Sequence, residues 1–321
     1  MDALEEHQVM SSETLDAKRN REGSEDTQTT QTQLSRAKIV CMNLMAAHIE
    51  HAADLIAQSD ALVVACGAGM GVDSGLPDFR GTEGFWQAYP ALRHAGIDFQ
   101  RIANPQAFRR NPEQAWGFYG HRLNLYRETT PHAGFALLSS WSEQLLHGGC
   151  VFTSNVDGQF QRAGSELARI EECHGSIHHL QCMDGCSEDI WPADAFAPVV
   201  NETSCLLLNE LPRCPHCGSL ARPNVLMFGD FEWQGHRQAG QSHALGRWLS
   251  TVSRPVVVEI GAGTAIPSVR HFSHRVIHEH GGRVVRINPR EFSVPTPFDV
   301  GIPAGSLDAL RAIDAALTER W

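Results

Sequence analysis

Two close pairs of cysteines are the most legible chemistry in this 321-residue chain. Cys214 and Cys217 form a tight CxxC, and Cys182 and Cys186 form a second pair one residue wider. Two such knuckles, separated by a loop of roughly thirty residues, have the spacing of a tetrahedral zinc site. Four thiolates would close the coordination shell, so the ion would be structural and not catalytic. Two other readings use the same residues: a redox CxxC, which leaves the second pair without a task, and unrelated buried thiols. Cys173 and Cys205 are close enough in sequence to stand in for Cys182 or Cys186. A second group is polar. Ser154-Asn155-Val156-Asp157 follows an apolar run, and Glu172-Cys173-His174-Gly175 comes soon after. An imidazole is the natural general base near pH 7, although one histidine among 17 is a weak signal by itself.

The third group is Gly67–Gly81, GAGMGVDSGLPDFRG, which follows the apolar run Ala61–Cys66. A buried strand that empties into glycines is the entrance to a dinucleotide site. Gly67 and Gly69 let the backbone turn sharply and approach a pyrophosphate with no Cβ in the way. Pro77 argues against a continuing helix, so Asp78, Phe79 and Arg80 read as a loop carrying an acid, an aromatic and a guanidinium over the nucleotide.

The elements that must position these groups follow from pattern. Ala61–Cys66, Cys150–Thr153, Pro255–Ile260 and Arg283–Ile287 are short, Val-rich runs ending in small or polar residues, as in a parallel sheet buried on both faces. Residues 40–58 have helical spacing, and Asp60 is placed to cap the exit toward the first strand. Asn111 is a candidate N-cap with Pro112 at the first helical position, for a helix reaching about Arg127. The segment from His178 to Arg222 breaks the α/β rhythm and carries the cysteines. Residues 1–36 are rich in polar residues and poor in large apolar ones, the composition of a disordered tail.

Composition narrows the class. A hydrophobic content of 42% and charged content of 20% fit a globular protein, and a formal charge of -11 argues against nucleic acid as the primary partner. No apolar stretch approaches a membrane span, and the N-terminus has no basic-then-apolar signal pattern, so a cytoplasmic protein with no membrane partner is expected.

Taken together the motifs resemble the sirtuin family of NAD-dependent protein-lysine deacylases. The family's GAGxSxxSGIPDFRG is similar to Gly67–Gly81, and its TQNxDxLxxxAG to Thr153–Gly164. Its HG pair is similar to His174-Gly175, its RPxVVxFGE to Arg222–Asp230, and its zinc module to Cys182, Cys186, Cys214 and Cys217. The resemblance covers about Ala46 to the C-terminus. It implies an α/β fold: a Rossmann-like doubly wound parallel sheet (about 40–80, 130–175 and 228–321) with a smaller zinc-ribbon plus helical domain (about 82–129 and 176–227). NAD, as co-substrate, and an acyl-lysine protein or peptide would meet between the two, with one structural zinc ion in the small domain.

The resemblance also implies roles. Gly67, Ala68, Gly69, Asp78, Phe79, Arg80, Trp86, Ser154, Asn155, Val156, Asp157, Gly261, Ala262, Gly263 and Asn288 would line the NAD site. Asn155 and Asp157 would hold the ribose and carboxamide, and His174 would be the general base. The implied reaction releases nicotinamide, lets the acyl oxygen attack ribose C1′, activates a ribose hydroxyl through His174, and leaves the acyl group on ADP-ribose. Val225, Leu226 and Phe228 would offer strand edge to the substrate backbone. Tyr119 and Arg122, at i and i+3 of one helix, resemble the Tyr-x-x-Arg of sirtuins that remove succinyl, malonyl or glutaryl groups, because a guanidinium and a phenol can grip a distal carboxylate. Three positions depart from the family: Gly71 replaces a serine, Ser154 replaces a glutamine, and Gly261-Ala262-Gly263 replaces GTS. Each loses side-chain hydrogen bonds near the nucleotide, while backbone N–H groups remain to cradle phosphate. Rival readings of the same site are a protein mono-ADP-ribosyltransferase and a non-enzymatic NAD-sensing module.

Overall fold

The computed structural model describes residues 42–77, 82–164 and 169–321. The polar tail 1–36 and the trio Asp78, Phe79 and Arg80 lie outside the described residues. A helix over 42–57 (α1) leads into β1 (Ala61–Cys66). Six helices follow: α2 (Thr82–Ala88), α3 (Pro90–His94), α4 (Phe99–Ile102), α5 (Pro105–Arg110), α6 (Pro112–Glu128) and α7 (Gly134–Glu143). After β2 (Gly149–Thr153), α8 (Gln159–Arg162) and β3 (Ile170–Glu172) come five strands: β4 (Gly175–Cys182), β5 (Ile190–Pro192), β6 (Val200–Asn201), β7 (Leu206–Leu207) and β8 (Ala221–Val225). The chain closes with α9 (His236–Leu249), β9 (Pro255–Ile260), α10 (Ser268–His280), β10 (Arg283–Ile287), β11 (Val300–Ile302) and α11 (Ser306–Leu317).

Six parallel strands lie in the order β11-β10-β9-β1-β2-β3. This is the doubly wound Rossmann order, and its direction reverses between β1 and β9. Every residue of β1, β2 and β9 is buried, which is why these segments read as continuous apolar runs. Glu259 is the exception inside β9. Its register partner on β10 is Arg286, so the two side chains share a face, and their ion pair closes at 2.6 Å with both groups under 4% exposed. Asp60 does not cap α1. Its carboxylate accepts the N–H groups of Ser253 and Arg254, and its carbonyl accepts that of His147, so one residue aligns the entries of β1, β2 and β9.

A second hydrophobic core lies among α2–α6 and the antiparallel sheet β5-β4-β8. Asn111 caps α6 by accepting from Gln114 N, with Pro112 at the first helical position, as the sequence predicts. The helix buries residues on all sides because the 198–207 segment wraps it. A Cβ on Gly117 would meet the Cys205 carbonyl oxygen at 2.2 Å, so this crossing needs glycine.

Above the switch point the turns that follow β1 and β9 touch. Gly69 N donates to Gly261 O at 3.2 Å, and a Cβ on Gly261 would strike Gly69 Cα at 2.4 Å. Gly261 also sits at φ +59. Gly261→Ala combines left-handed strain with a backbone clash, so urea unfolding should show a stability loss of about 2–4 kcal/mol. A loss under about 0.5 kcal/mol would show that the loops part freely.

Candidate active site

The loop after β1 is held from several sides. Gly67 N donates to Ile260 O, and Asn155 Nδ2 donates to Gly67 O at 3.0 Å. Asn155 N in turn bonds Thr153 Oγ1, so the strand end of β2 fixes the amide that braces the glycine turn. Ser154 N donates to Cys66 O. At the far end of the loop Asp73 accepts from Ser306 Oγ and Leu307 N at the start of α11, while His132 Nε2 lies 2.9 Å from Met70 O. These contacts hold the Asp73 carboxyl below its ordinary range: burial would raise it, but the Ser306 and Leu307 hydrogen bonds outweigh that.

Gly71 has φ -81 and ψ -11, a conformation open to any residue. An added Cβ would lie 3.0 Å from Leu76 Cδ1, so a small shift of that side chain would admit one. Neither backbone shape nor packing therefore requires glycine here, and the replacement of the family's serine has no structural explanation.

Opposite the loop stands His174. Its backbone is tied at both sides: Cys173 N donates to Thr153 O, and Leu226 N donates to His174 O. Gly175 follows at φ +77, where a Cβ would meet Asn224 O at 2.1 Å, so the HG pair is the price of bringing β8 against the base. His174 Nε2 lies 3.2 Å from Ser268 Oγ. Burial lowers the imidazole below its ordinary value, partly offset by a hydrogen bond to the Ser154 main chain, and the ring is neutral and able to accept a proton at pH 7.

Asp157 completes the polar group. Burial pushes its carboxyl up to about 6, against a hydrogen bond from Gln159 N and the charge of Arg122. Val156 is buried in the second core, and its carbonyl accepts from Ile177 N. Trp86 packs on the same core and donates Nε1–H to Ile97 O. Asn288 caps the turn after β10: its Oδ1 accepts from Arg290 N and Glu291 N, and its Nδ2 donates to Ala262 O. Arg270 also donates to Ala262 O, so the Gly261-Ala262-Gly263 turn is shaped by side chains outside it.

The remaining predicted positions are placed as follows. Of the substrate-edge residues only Val225 lies in β8, because Leu226 N turns to His174 O, Asp230 captures Met227 N, and Phe228 N donates to Ala103 O. β8 is nonetheless the last strand of its sheet. Asp230 and Arg222 form a bidentate pair, at 2.6 and 2.9 Å, with both side chains at 0% exposure. Arg122 is buried on α6 and donates to Tyr126 Oη at 3.0 and 2.7 Å. Tyr119 is almost fully buried and offers its ring, 5.8 Å from the guanidinium, so Tyr126 is the phenol that hydrogen-bonds Arg122. Burial works against the Arg122 charge, but the Tyr126, Tyr119 and Tyr89 phenols outweigh it.

The thiol sulfurs of Cys182, Cys186, Cys214 and Cys217 all lie within 4.8 Å of one another, with 3.7 Å between Cys182 and Cys217 and 3.5 Å between Cys186 and Cys214. A Zn–S bond of about 2.3 Å gives a tetrahedral edge of about 3.8 Å, so the cluster fits one zinc ion closed to solvent ligands. Gly185 at φ +60 and Gly218 at φ +75 turn the two knuckles. Cys173 and Cys205 are not part of this group.

Residues 67–244 match the family model described as the Sir2 family. The chain belongs to the Sir2 family. It is 30% identical to an NAD-dependent protein deacylase of Thermococcus kodakarensis over 84% of this chain and 97% of that protein. It is 31% identical to NAD-dependent protein deacylase 1 of Archaeoglobus fulgidus over 74% and 84%. Among solved structures, an ADP-ribose complex of a Sir2 homologue aligns with a TM-score of 0.61 and 25% identity over 83% of this chain and 95% of that one.

Ser268, Tyr126, Asp73, His132 and Ser306 were not singled out from sequence. Except for Tyr126, which lies four residues from Arg122 on α6, their contacts join residues far apart in the chain. Asp157 generates a pH test. Its folded value near 6 is above its unfolded value, so the native state is penalised once the group ionises. Asp157→Asn should match wild-type stability near pH 4 and exceed it by about 1–3 kcal/mol at pH 7–8. A difference that is flat across this range, read from urea unfolding, would contradict the placement.

Proposed function

We propose that this chain is an NAD-dependent protein-lysine deacylase that moves the acyl group to ADP-ribose and releases nicotinamide. The observation that carries the reading is the His174 imidazole, held by Thr153 O at the end of β2 through Cys173 N, by Leu226 N after β8 and by Ser268 of α10. The names of the relatives, NAD-dependent protein deacylases, support the same activity. NAD would lie across the switch point, with Gly67, Ala68, Gly69 and the Gly261-Ala262-Gly263 turn against its phosphates. The close crossing of Gly69 and Gly261 favours this, since no side chain stands between the two turns to bar a close approach of the ligand. The cofactor supplies a glycosidic bond whose cleavage leaves an electrophilic ribose carbon.

The protein's own contribution is placement and proton transfer. Asn155 orients the ribose side, Asp157 the carboxamide side, and His174 takes a proton from a ribose hydroxyl. Val225, Leu226 and Phe228 lead the acyl-lysine peptide past His174, whose carbonyl already holds Leu226 N. Asp78, Phe79 and Arg80 are assigned to the NAD site by their motif. The two hydrophobic cores support a division into a large domain (about 40–80, 130–175 and 228–321) and a small one (about 82–129 and 176–227). One zinc ion would staple the small domain through Cys182, Cys186, Cys214 and Cys217. A reducing compartment such as the cytoplasm suits four thiolate ligands. Among the described residues no helix is long and apolar enough to cross a membrane.

The acyl preference follows from α6. A buried guanidinium with a phenol 2.7 Å away is built to grip an anion, so Arg122 and Tyr126, roofed by Tyr119, favour succinyl, malonyl or glutaryl over acetyl. Comparing kcat/KM on acetyl- and succinyl-lysine peptides should favour succinyl at least tenfold, about 1.4 kcal/mol, and Arg122→Met should reverse the order. Equal kcat/KM values, or an unchanged ratio in Arg122→Met, would overturn the acyl assignment. No acyl removal from any peptide would overturn the deacylase reading itself.

A further inference from the structure

We infer that His178 is a positioning residue for nicotinamide release: its ring fixes the main chain of Asp157, and with it the direction of the carboxyl that meets the carboxamide. The inference rests on the reading that Asp157 lies on the carboxamide side of NAD. His178 Nε2 lies 2.9 Å from the Asp157 carbonyl oxygen. A carbonyl oxygen only accepts, so Nε2 carries the hydrogen and donates it. The neutral and the charged ring both satisfy this contact.

A fault in the β4–β8 ladder aims the ring. Ser176 pairs with Asn224 and Leu180 pairs with the adjacent Pro223, so Ile177, His178 and His179 face no residue of β8. Such a bulge frees its residues from the ladder and re-aims a side chain. Ile177 N uses this release to donate to Val156 O at 3.0 Å. Two consecutive residues of β4 thus clasp two consecutive carbonyls of the loop after β2. On its other edge the bulge is pinned to the β5 side, where Ala193 N donates to His178 O at 2.8 Å and His179 is in register with Pro192. Gly158 makes room for the ring. Its φ is +68, and a Cβ there would lie 2.8 Å from His178 Cδ2.

Asp157 is therefore held twice. His178 takes its carbonyl, and its Oδ1 accepts from Gln159 N at 3.0 Å. Without the His178 donor the peptide between Asp157 and Gly158 is free to turn, and the carboxyl turns with it. Ile177 still holds the preceding carbonyl, so the loop stays in place and the aim of the carboxyl is what loosens. The expected loss falls on nicotinamide release and not on the peptide edge after β8. His178 makes and breaks no bond itself.

Nitrogen-15 NMR of the imidazoles in the free protein, with His178 assigned by its loss in His178→Gln, should show an Nε2–H tautomer. His178→Leu removes the donor. With NAD and an acyl-lysine peptide it should slow nicotinamide exchange and lower kcat about three- to tenfold, the worth of one ordinary hydrogen bond, with the peptide KM unchanged. His178→Gln, whose amide N–H can reach the same carbonyl, should recover most of that loss. An Nδ1–H tautomer at His178, or exchange unaltered in His178→Leu, would overturn the proposal. A peptide KM raised as much as exchange is slowed, or no recovery in His178→Gln, would mark a purely structural role and overturn it as well. Unimpaired exchange in Asp157→Asn would instead refute the placement of Asp157 on which the proposal rests.

Discussion

Everything in this molecule is arranged around a contact between two glycine turns where the sheet order reverses. β1 and β9 are neighbours whose following connections leave in opposite directions, and a crevice opens between those connections. Here the crevice floor is Gly69 on Gly261, close enough that no side chain fits between them. Asp60 aligns the strands at their entries, and Asn155, Asp73 and Arg270 brace the turns at their exits. A bare backbone floor that is rigidly held lets a dinucleotide approach closely, because no Cβ stands in its way.

The buried charges sort by the same logic. Glu259–Arg286 and Asp230–Arg222 are closed, bidentate or near-bidentate pairs that hold structure together, and each would leave an uncompensated charge if one partner were removed. Asp157 and Arg122 are different in kind. Burial acts against the charge of each. Perturbed groups of this sort concentrate where chemistry or recognition happens.

Much of this was legible from residues alone. Strands β1, β9 and β10 were bounded to the residue because a doubly covered parallel sheet leaves uninterrupted apolar runs, and α6 was announced by Asn111-Pro112. The cysteine quartet was legible as two pairs, but excluding Cys173 and Cys205 needed their distances. Pair geometry on α6 was not legible: i and i+3 spacing pointed to Tyr119, whereas the phenol that bonds Arg122 is Tyr126, one turn further on. Ser268 was invisible because a serine at a helix start is ordinary, and its meaning comes from a histidine 94 residues earlier in the chain. Gly71 reads as a lost hydroxyl, and the structure leaves room for a side chain there with a small shift of Leu76.

The central claim is that the site cleaves NAD in order to take up an acyl group. Its most direct measurement is product identity by mass spectrometry after incubation with NAD and a succinyl-lysine peptide. The account predicts nicotinamide, free lysine peptide and O-succinyl-ADP-ribose in equal amounts. Nicotinamide with ADP-ribose attached to protein, or no consumption of NAD at all, would contradict it.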